Sequence, residues 1–137
     1  MTTVQDAFIA VVKAAVPAGV GVFDSIVQGT APAQYVAVYP ANGERTKGDS
    51  LCGYRNGLFR FQITSVVSNS TNLGQECRGL ASRCRDALVG VILAADGWKC
   101  GPVEHDFTNP PVRDESVIDK PTVYAADGYV LLADRLT

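Results

Sequence analysis

The chain has 137 residues, of which 47% are hydrophobic, and its formal net charge is -2. This length and apolar content predict a single domain over residues 1–137, whose core needs neither a metal nor disulfides. The acidic balance argues against a dedicated nucleic-acid-binding domain, which carries an excess of Lys and Arg. No apolar run reaches the roughly 18 residues that cross a bilayer, so we expect no membrane partner.

The first predicted element is an amphipathic helix. Thr3 and Asp6 form a capping pattern at its start, and the acid lies where the helix dipole favours it. Pro17 and Gly19 end the helical pattern. The stripe of apolar residues consists of Val4, Phe8, Val11, Val12 and Ala15.

Two strands follow the helix, at Val22–Ile26 and Tyr35–Tyr39, with a turn at Gly29–Pro32 between them. The second strand is β-branched or aromatic at every position except Ala37, which suits a half-buried sheet. The turn residues redirect the chain from one strand to the next.

A long polar segment runs from Pro40 to Gly57 and is interrupted by several glycines. A segment of this composition cannot bury enough apolar surface to order itself. We interpret it as a contact arm that folds against a neighbouring chain, with a hairpin tip of no function as the alternative. Its candidate partner-binding residues are Arg45, Lys47, Asp49 and Arg55.

The centre of the chain predicts a strand and a covering helix. Leu58 to Val67 alternates, with Phe59, Phe61 and Ile63 on one face, which is typical of a sheet covered on one side. From Leu73 to Ile92, apolar residues recur every three or four positions, which predicts a helix of about six turns. Asn72 and Gln75 form its capping pair, and Asp96-Gly97 closes it with a turn.

The C-terminal third predicts two further strands. Trp98–Phe107 is the first, and Asn109-Pro110-Pro111 breaks the chain after it. The second strand, Thr122–Leu136, contains a bulge or bend at Gly128. The fold class is therefore α+β: an antiparallel sheet of four to five strands with two helices packed on one face, and the other face exposed to solvent or to partners.

The loop Thr108–Lys120, between these last two strands, is the second candidate partner-binding segment. It is polar and broken by prolines, so it folds poorly alone. Three carboxylates lie close together in this loop and suggest a site for a hard cation: Asp114, Glu115 and Asp119. EF-hand spacing is absent, however, and a solvated loop explains these acids better. The candidate partner-binding residues in this loop are Arg113, Asp114 and Glu115.

Few residues suggest catalysis. His105 and Cys100 are an odd number of positions apart on one predicted strand, so their side chains should point to opposite faces. Cys77 and Cys84, seven apart in the helix, are interpreted as small core residues that lie too far apart to form a disulfide. We expect no enzyme activity, no cofactor and no metal ion.

Three arginines, Arg78, Arg83 and Arg85, are spread around the polar side of the second helix. They either meet acids on an adjacent subunit or simply keep that face of the helix in water.

The order of these elements, with Val22-Phe23-Asp24, Gln28-Gly29 and Tyr35-Val36 after an N-terminal helix, resembles the tail terminator (tail completion) proteins of long-tailed, siphovirus-type bacteriophages. In that family a Val-Tyr-Asp run, a Pro-Gln turn and a Pro-Tyr-Val strand precede the aromatic strand and the helix. Here Phe23 replaces the tyrosine, and Val27 and Gln34 stand where prolines are common.

The resemblance implies a structural virion protein at the neck end of the tail, assembled in the host cytoplasm. Its copies would form a ring, of six subunits in this family, that caps the tail tube, stops its polymerisation and joins the head connector. The implied partners are further copies of itself, the major tail tube protein and the head–tail connector protein, with DNA passing through the lumen without specific binding. The alternatives are another neck or tail-tube component, such as a head–tail connector, or a small binding module or hydrolase of the host.

Overall fold

The computed structural model describes residues 1–27, 29–40, 44–45, 56–116 and 120–136, which form two helices and eight strands. In chain order these are α1 (Val4–Ala15), β1 (Gly21–Asp24), β2 (Gln34–Pro40), β3 (Glu44–Arg45), β4 (Asn56–Ser68), α2 (Leu73–Leu88), β5 (Ile92–Ala95), β6 (Trp98–Pro102), β7 (Glu104–Arg113) and β8 (Thr122–Arg135). Neither helix is long and apolar enough to cross a membrane.

The strands form one mixed sheet with the order β1-β2-β4-β8-β6-β5, in which β3 also pairs with β4 and β7 with β8. The α+β class agrees with the prediction, but the expected four or five antiparallel strands do not. The described residues contain eight strands, and β1 pairs with β2 in parallel, from Gly21 opposite Tyr35 to Asp24 opposite Val38. Strand β2 therefore begins at the same end of the sheet as β1, and the two strands do not form a hairpin.

Strands β4 and β8 form the centre of the sheet. They pair over their length in antiparallel register, from Asn56 opposite Asp134 to Ser68 opposite Thr122. The outer side of β4 carries β2 and β3, and the outer side of β8 carries β7 and β6. Two long central strands thus provide the frame on which the short strands assemble.

Both helices pack on one face of the sheet, as predicted. The Phe8 ring of α1 stacks on Phe61 of β4 with a centroid distance of 3.9 Å. From α2, the Cys77 thiol lies 3.3 Å from the Ser65 carbonyl oxygen of the same strand. We call this side the covered face and the opposite side the open face.

Helix α1 begins at the capping box that the sequence predicts. The Thr3 hydroxyl accepts from the Asp6 backbone N–H at 3.0 Å, and the Asp6 carboxylate accepts from the Thr3 N–H at 3.3 Å. These two bonds satisfy N–H groups that the helix itself leaves without acceptors.

Helix α2 ends earlier than its apolar periodicity predicts. It stops at Leu88, and Gly90 adopts a positive φ of 84° that turns the chain away. Asp96-Gly97 is the turn of the β5–β6 hairpin rather than the end of the helix. At its start, Asn72 is the N-cap residue but makes no side-chain capping bond.

The predicted strand Trp98–Phe107 is divided at the buried Val103 into β6 and β7. Strand β7 then continues through Pro110 and Pro111, where we expected a break, by means of a bulge between Asn109 and Val112. The prolines are tolerated because, among the described residues, β7 pairs on one side only and needs no N–H donors on the other.

Strand β8 runs without a break from Thr122 to Arg135, so the bulge or bend expected at Gly128 is not in this strand. A Cβ at position 128 would overlap the ring of Phe107, which lies over the glycine from the neighbouring strand. Gly128 therefore allows a close side-chain approach, and the irregularities of this pair lie in β7.

Candidate interaction surfaces

The open face of the sheet carries a row of apolar side chains. Val36, Phe61 and Tyr129 lie in the core on the covered side, so the alternating positions on the same strands point to the open face. The larger apolar residues at these positions are Tyr35, Tyr39, Leu58, Val66, Tyr124, Val130 and Leu132, with Phe107 and Val112 from β7 beside them.

Several of these side chains are strongly exposed to solvent. Leu132 is 59% exposed, Tyr39 43% and Phe107 39%. Two depressions of about 440 and 260 Å³ lie on this face, and Tyr39 lines both. Arg60 and Gln62 of β4 lie between these side chains on the same face, which is therefore of mixed polarity. Several large apolar side chains exposed on one sheet face often mark a site of protein interaction.

The sequence carried a signal for this face. In β8 both alternating positions are apolar through Tyr129, Val130, Leu131 and Leu132. A strand with one solvated face would alternate polar and apolar residues, whereas this run indicates a strand that is covered on both sides.

The loop residues predicted to bind partners lie at the turn between β7 and β8. Arg113 is the last residue of β7 and pairs with Val123, while Asp114 and Glu115 follow it. Asp114 also lines the larger depression on the open face, together with Tyr35 and Tyr124. Part of this loop thus borders the open face, although Thr108–Arg113 belongs to β7 rather than to a loop.

Hydrogen bonds hold Asp114 in its turn. Its carboxylate accepts from the Ser116 backbone N–H at 3.0 Å and from the Ser116 hydroxyl. These bonds lower the pKa of Asp114, which therefore presents a negative charge beside the open face.

Both ends of the predicted contact arm belong to strands, since Pro40 ends β2 and Asn56 and Gly57 begin β4. Between them the structure describes only the backbone of Glu44 and Arg45, and Arg45 pairs with Gly57. Lys47, Asp49 and Arg55 lie outside the described residues.

A buried polar cluster lies on the covered face around Asp127, which is 1% exposed. Its Oδ1 accepts from the Thr108 hydroxyl at 2.6 Å and from Arg85 Nη2 at 3.2 Å. The same oxygen lies 3.1 Å from His105 Nε2. One carboxylate thus joins α2, β7 and β8, which the sequence alone did not indicate.

His105 does not have the geometry of a catalytic relay in this cluster. Its Nε2 contacts both Asp127 and the Thr108 hydroxyl, the latter at 2.9 Å. A nucleophile–histidine–carboxylate relay needs one ring nitrogen for each partner. The cluster therefore serves to hold three elements together.

Cys100 and His105 lie on the same face, contrary to expectation. Cys100 pairs with Ala133 and His105 with Tyr129, both on the covered side, because the chain breaks between β6 and β7. Four positions along β8 separate these pairs by about 13 Å, too far for a Cys–His pair.

The cysteines that the structure describes are buried, free and part of the core. Burial raises the pKa of Cys77 and of Cys84 to about 11 and also raises that of Cys100. The interpretation of Cys77 and Cys84 as core residues is confirmed. No group of three or more potential metal ligands occurs within the described ranges; Asp119, one of the three acids considered for a cation, lies outside them.

Comparison with known proteins identifies the fold but no family. No protein-family model matches the chain, and no curated protein matches it significantly. Among solved structures, it is similar to a chain in the virion of a native gene transfer agent particle, with a TM-score of 0.72 and 15% identity over 96% of this chain and 95% of that one. A second solved chain, without a functional description, has a TM-score of 0.54 and 19% identity over 93% of this chain and 89% of that one. The chain shares its fold with a component of a virion particle.

Proposed function

We propose that this chain is a structural virion protein without catalytic activity: a tail terminator. In this proposal six copies form a ring on the last ring of the tail tube, stop its polymerisation and present a joining surface to the head connector. The ring lies at the neck end of the virion tail and is assembled in the host cytoplasm.

The open face is the observation that carries this proposal. A domain of this size that leaves Tyr39, Phe107 and Leu132 in water exposes apolar area that a neighbouring protein would cover. Similarity in fold to a chain of a gene transfer agent virion supports an assembly in which such neighbours exist.

The net charge of -2 supports a lumen through which DNA passes without binding. Like charge repels the phosphates, so the ring does not retain the DNA.

The two partner-binding segments of the sequence analysis belong to this proposal. In the arm they are Arg45, Lys47, Asp49 and Arg55, and at the β7–β8 turn they are Arg113, Asp114 and Glu115. Charge reversal at Arg45 and at Arg55 should impair assembly with the ring or the tube; unchanged assembly in both variants would exclude the arm as a contact.

The decisive experiment is electron microscopy of lysates in which the encoding phage lacks this protein. Headless tubes of excessive and irregular length are the expected result, because nothing stops polymerisation. Tubes of normal length that fail to join heads would instead identify a connector. Normal infectious particles would refute the assembly function.

A further inference from the structure

A cavity of about 310 Å³ lies between α2 and the β7–β8 pair, on the covered side of the sheet. It is separate from the open face, because none of its lining residues lines either of the depressions there. Its side chains from α2 are Arg78, Ala81, Ser82 and Arg85.

The cavity exists because small residues face each other there. Ala81 and Ser82 on α2 and Ala125 on β8 leave a gap that larger side chains would fill. The third wall is Pro110-Pro111, which belongs to the β7 bulge and forms a rigid, apolar surface without N–H donors.

The charges in the lining favour an anion. Arg78 and Arg85 contribute two positive charges and Asp127 one negative charge, which leaves a formal excess of one positive charge. Arg78 has no ion-pair partner among the described residues. The Nε of Arg85 is buried and has no acceptor within those residues, although its Nη2 is bound to Asp127.

We propose that this cavity binds a carboxylate-bearing side chain with an aliphatic stem, presented by a neighbouring protein chain. The stem packs against Ala81 and the two prolines, and the carboxylate accepts from Arg78 and Arg85. A phosphate or a nucleic-acid backbone fits less well, because a single excess positive charge and apolar walls leave most of its oxygens unpaired. The origin of the neighbouring chain rests on the proposed assembly function, whereas the binding chemistry does not.

The test is an NMR titration of the isotope-labelled full chain with pentanoate, which carries a carboxylate on an aliphatic stem. We expect saturable shifts of the backbone amides at Thr108, Asn109 and the facing turns of α2. Pentanamide, which has the same stem without charge, should produce no saturable shift. Equal shifts with pentanamide, or inorganic phosphate binding as tightly as pentanoate, would overturn the proposal.

Variants on α2 provide matched controls. Arg78→Gln should weaken pentanoate binding about tenfold through loss of a charge-assisted hydrogen bond. Arg83→Gln, on the same helix but outside the cavity lining, should leave binding unchanged. Ser82→Leu should abolish binding by filling the cavity, and because Ser82 is exposed the fold should remain, as the spectrum itself would show.

Absence of saturable binding, or equal weakening by Arg83→Gln, would refute the cavity as a carboxylate site. Neither result would affect the capping of the tail tube. Conversely, tubes of normal length in the depletion experiment would refute the proposed function and leave the carboxylate site standing.

Discussion

Asp127 has more structural partners than its position in a strand would suggest. Arg85, His105 and Thr108 all contact one oxygen of this buried carboxylate, and they come from α2 and β7. A buried charge is stable only when such partners compensate the lost hydration.

Asp127→Asn should therefore lower the free energy of unfolding by about 2 kcal/mol. The substitution removes the negative charge that compensates Arg85 and that strengthens the contacts with Arg85, His105 and Thr108. The value is moderate since the Arg85 side chain is 36% exposed and retains water. Urea denaturation measures it. Asp106→Asn, an exposed acid on β7, is the control and should change stability by less than about 0.5 kcal/mol. Equal losses in both variants would contradict the role of Asp127.

The buried thiols of Cys77 and Cys84 predict that the free energy of unfolding depends on pH. Burial raises the pKa of Cys77 and Cys84 from 9.0 to about 11 in the folded chain, so the unfolded chain loses these protons first. The contribution of these two protonated thiols to the free energy of unfolding is therefore complete below pH 9 and is lost as the pH rises through 11.

Alkylation with iodoacetamide at pH 8 should consequently be slow at Cys77 and Cys84 and become rapid in urea. Peptide mass spectrometry measures the modified fraction at each cysteine. Rapid modification of either residue in the folded chain would show that it is accessible, against the buried position observed here.

Among the secondary-structure elements, α2 shows most clearly how single glycines differ in their roles. Gly79 lies on the exposed side of the helix, and a Cβ there would meet no atom within 4 Å. Gly90 follows the helix at a φ of 84°, a conformation that strains residues with a side chain.

Gly79→Ala should raise the free energy of unfolding by up to about 1 kcal/mol through better helix propensity. Gly90→Ala should lower it by about 1–2 kcal/mol, because alanine is strained in the left-handed region. Chemical denaturation of the two variants compares them directly. Destabilisation by Gly79→Ala would indicate a contact on that side of α2 that the isolated chain does not show.

At the scale of the whole molecule, the sheet has one face covered by two helices and one open face that carries several exposed apolar side chains. Leu132 lies near one end of the open face, opposite Leu58, and is 59% exposed. An exposed leucine in such a row contributes to association when a partner covers it.

Leu132→Glu should weaken assembly of the purified protein with itself or with tail tubes by at least tenfold, since a charge would be buried without a partner. Light scattering and sedimentation with tubes measure this. Ile92→Glu is the matched control: Ile92 is 68% exposed but lies on the edge strand β5 and should leave assembly unchanged. If Leu132→Glu assembles as well as the unmodified protein, the open face is not the contact surface.

The sequence predicted those features that depend on neighbouring residues. The capping box at Thr3, the alternation of Phe59, Phe61 and Ile63, and the burial of Cys77 and Cys84 all follow from spacing within one element. The overextended α2 shows where this approach fails, because Val91 and Ile92 continue a helical spacing while the chain has already turned at Gly90 into β5.

The sequence by itself therefore determined the helices, the central strands and the apolar core, because a period of 3.6 or 2 residues decides which side chains share a face. Tertiary structure alone decided the parallel pairing of β1, the passage of β7 through two prolines and the meeting of Arg85, His105 and Asp127. These depend on which distant strands become neighbours, and no local spacing contains that information, because the packing of the whole sheet sets it.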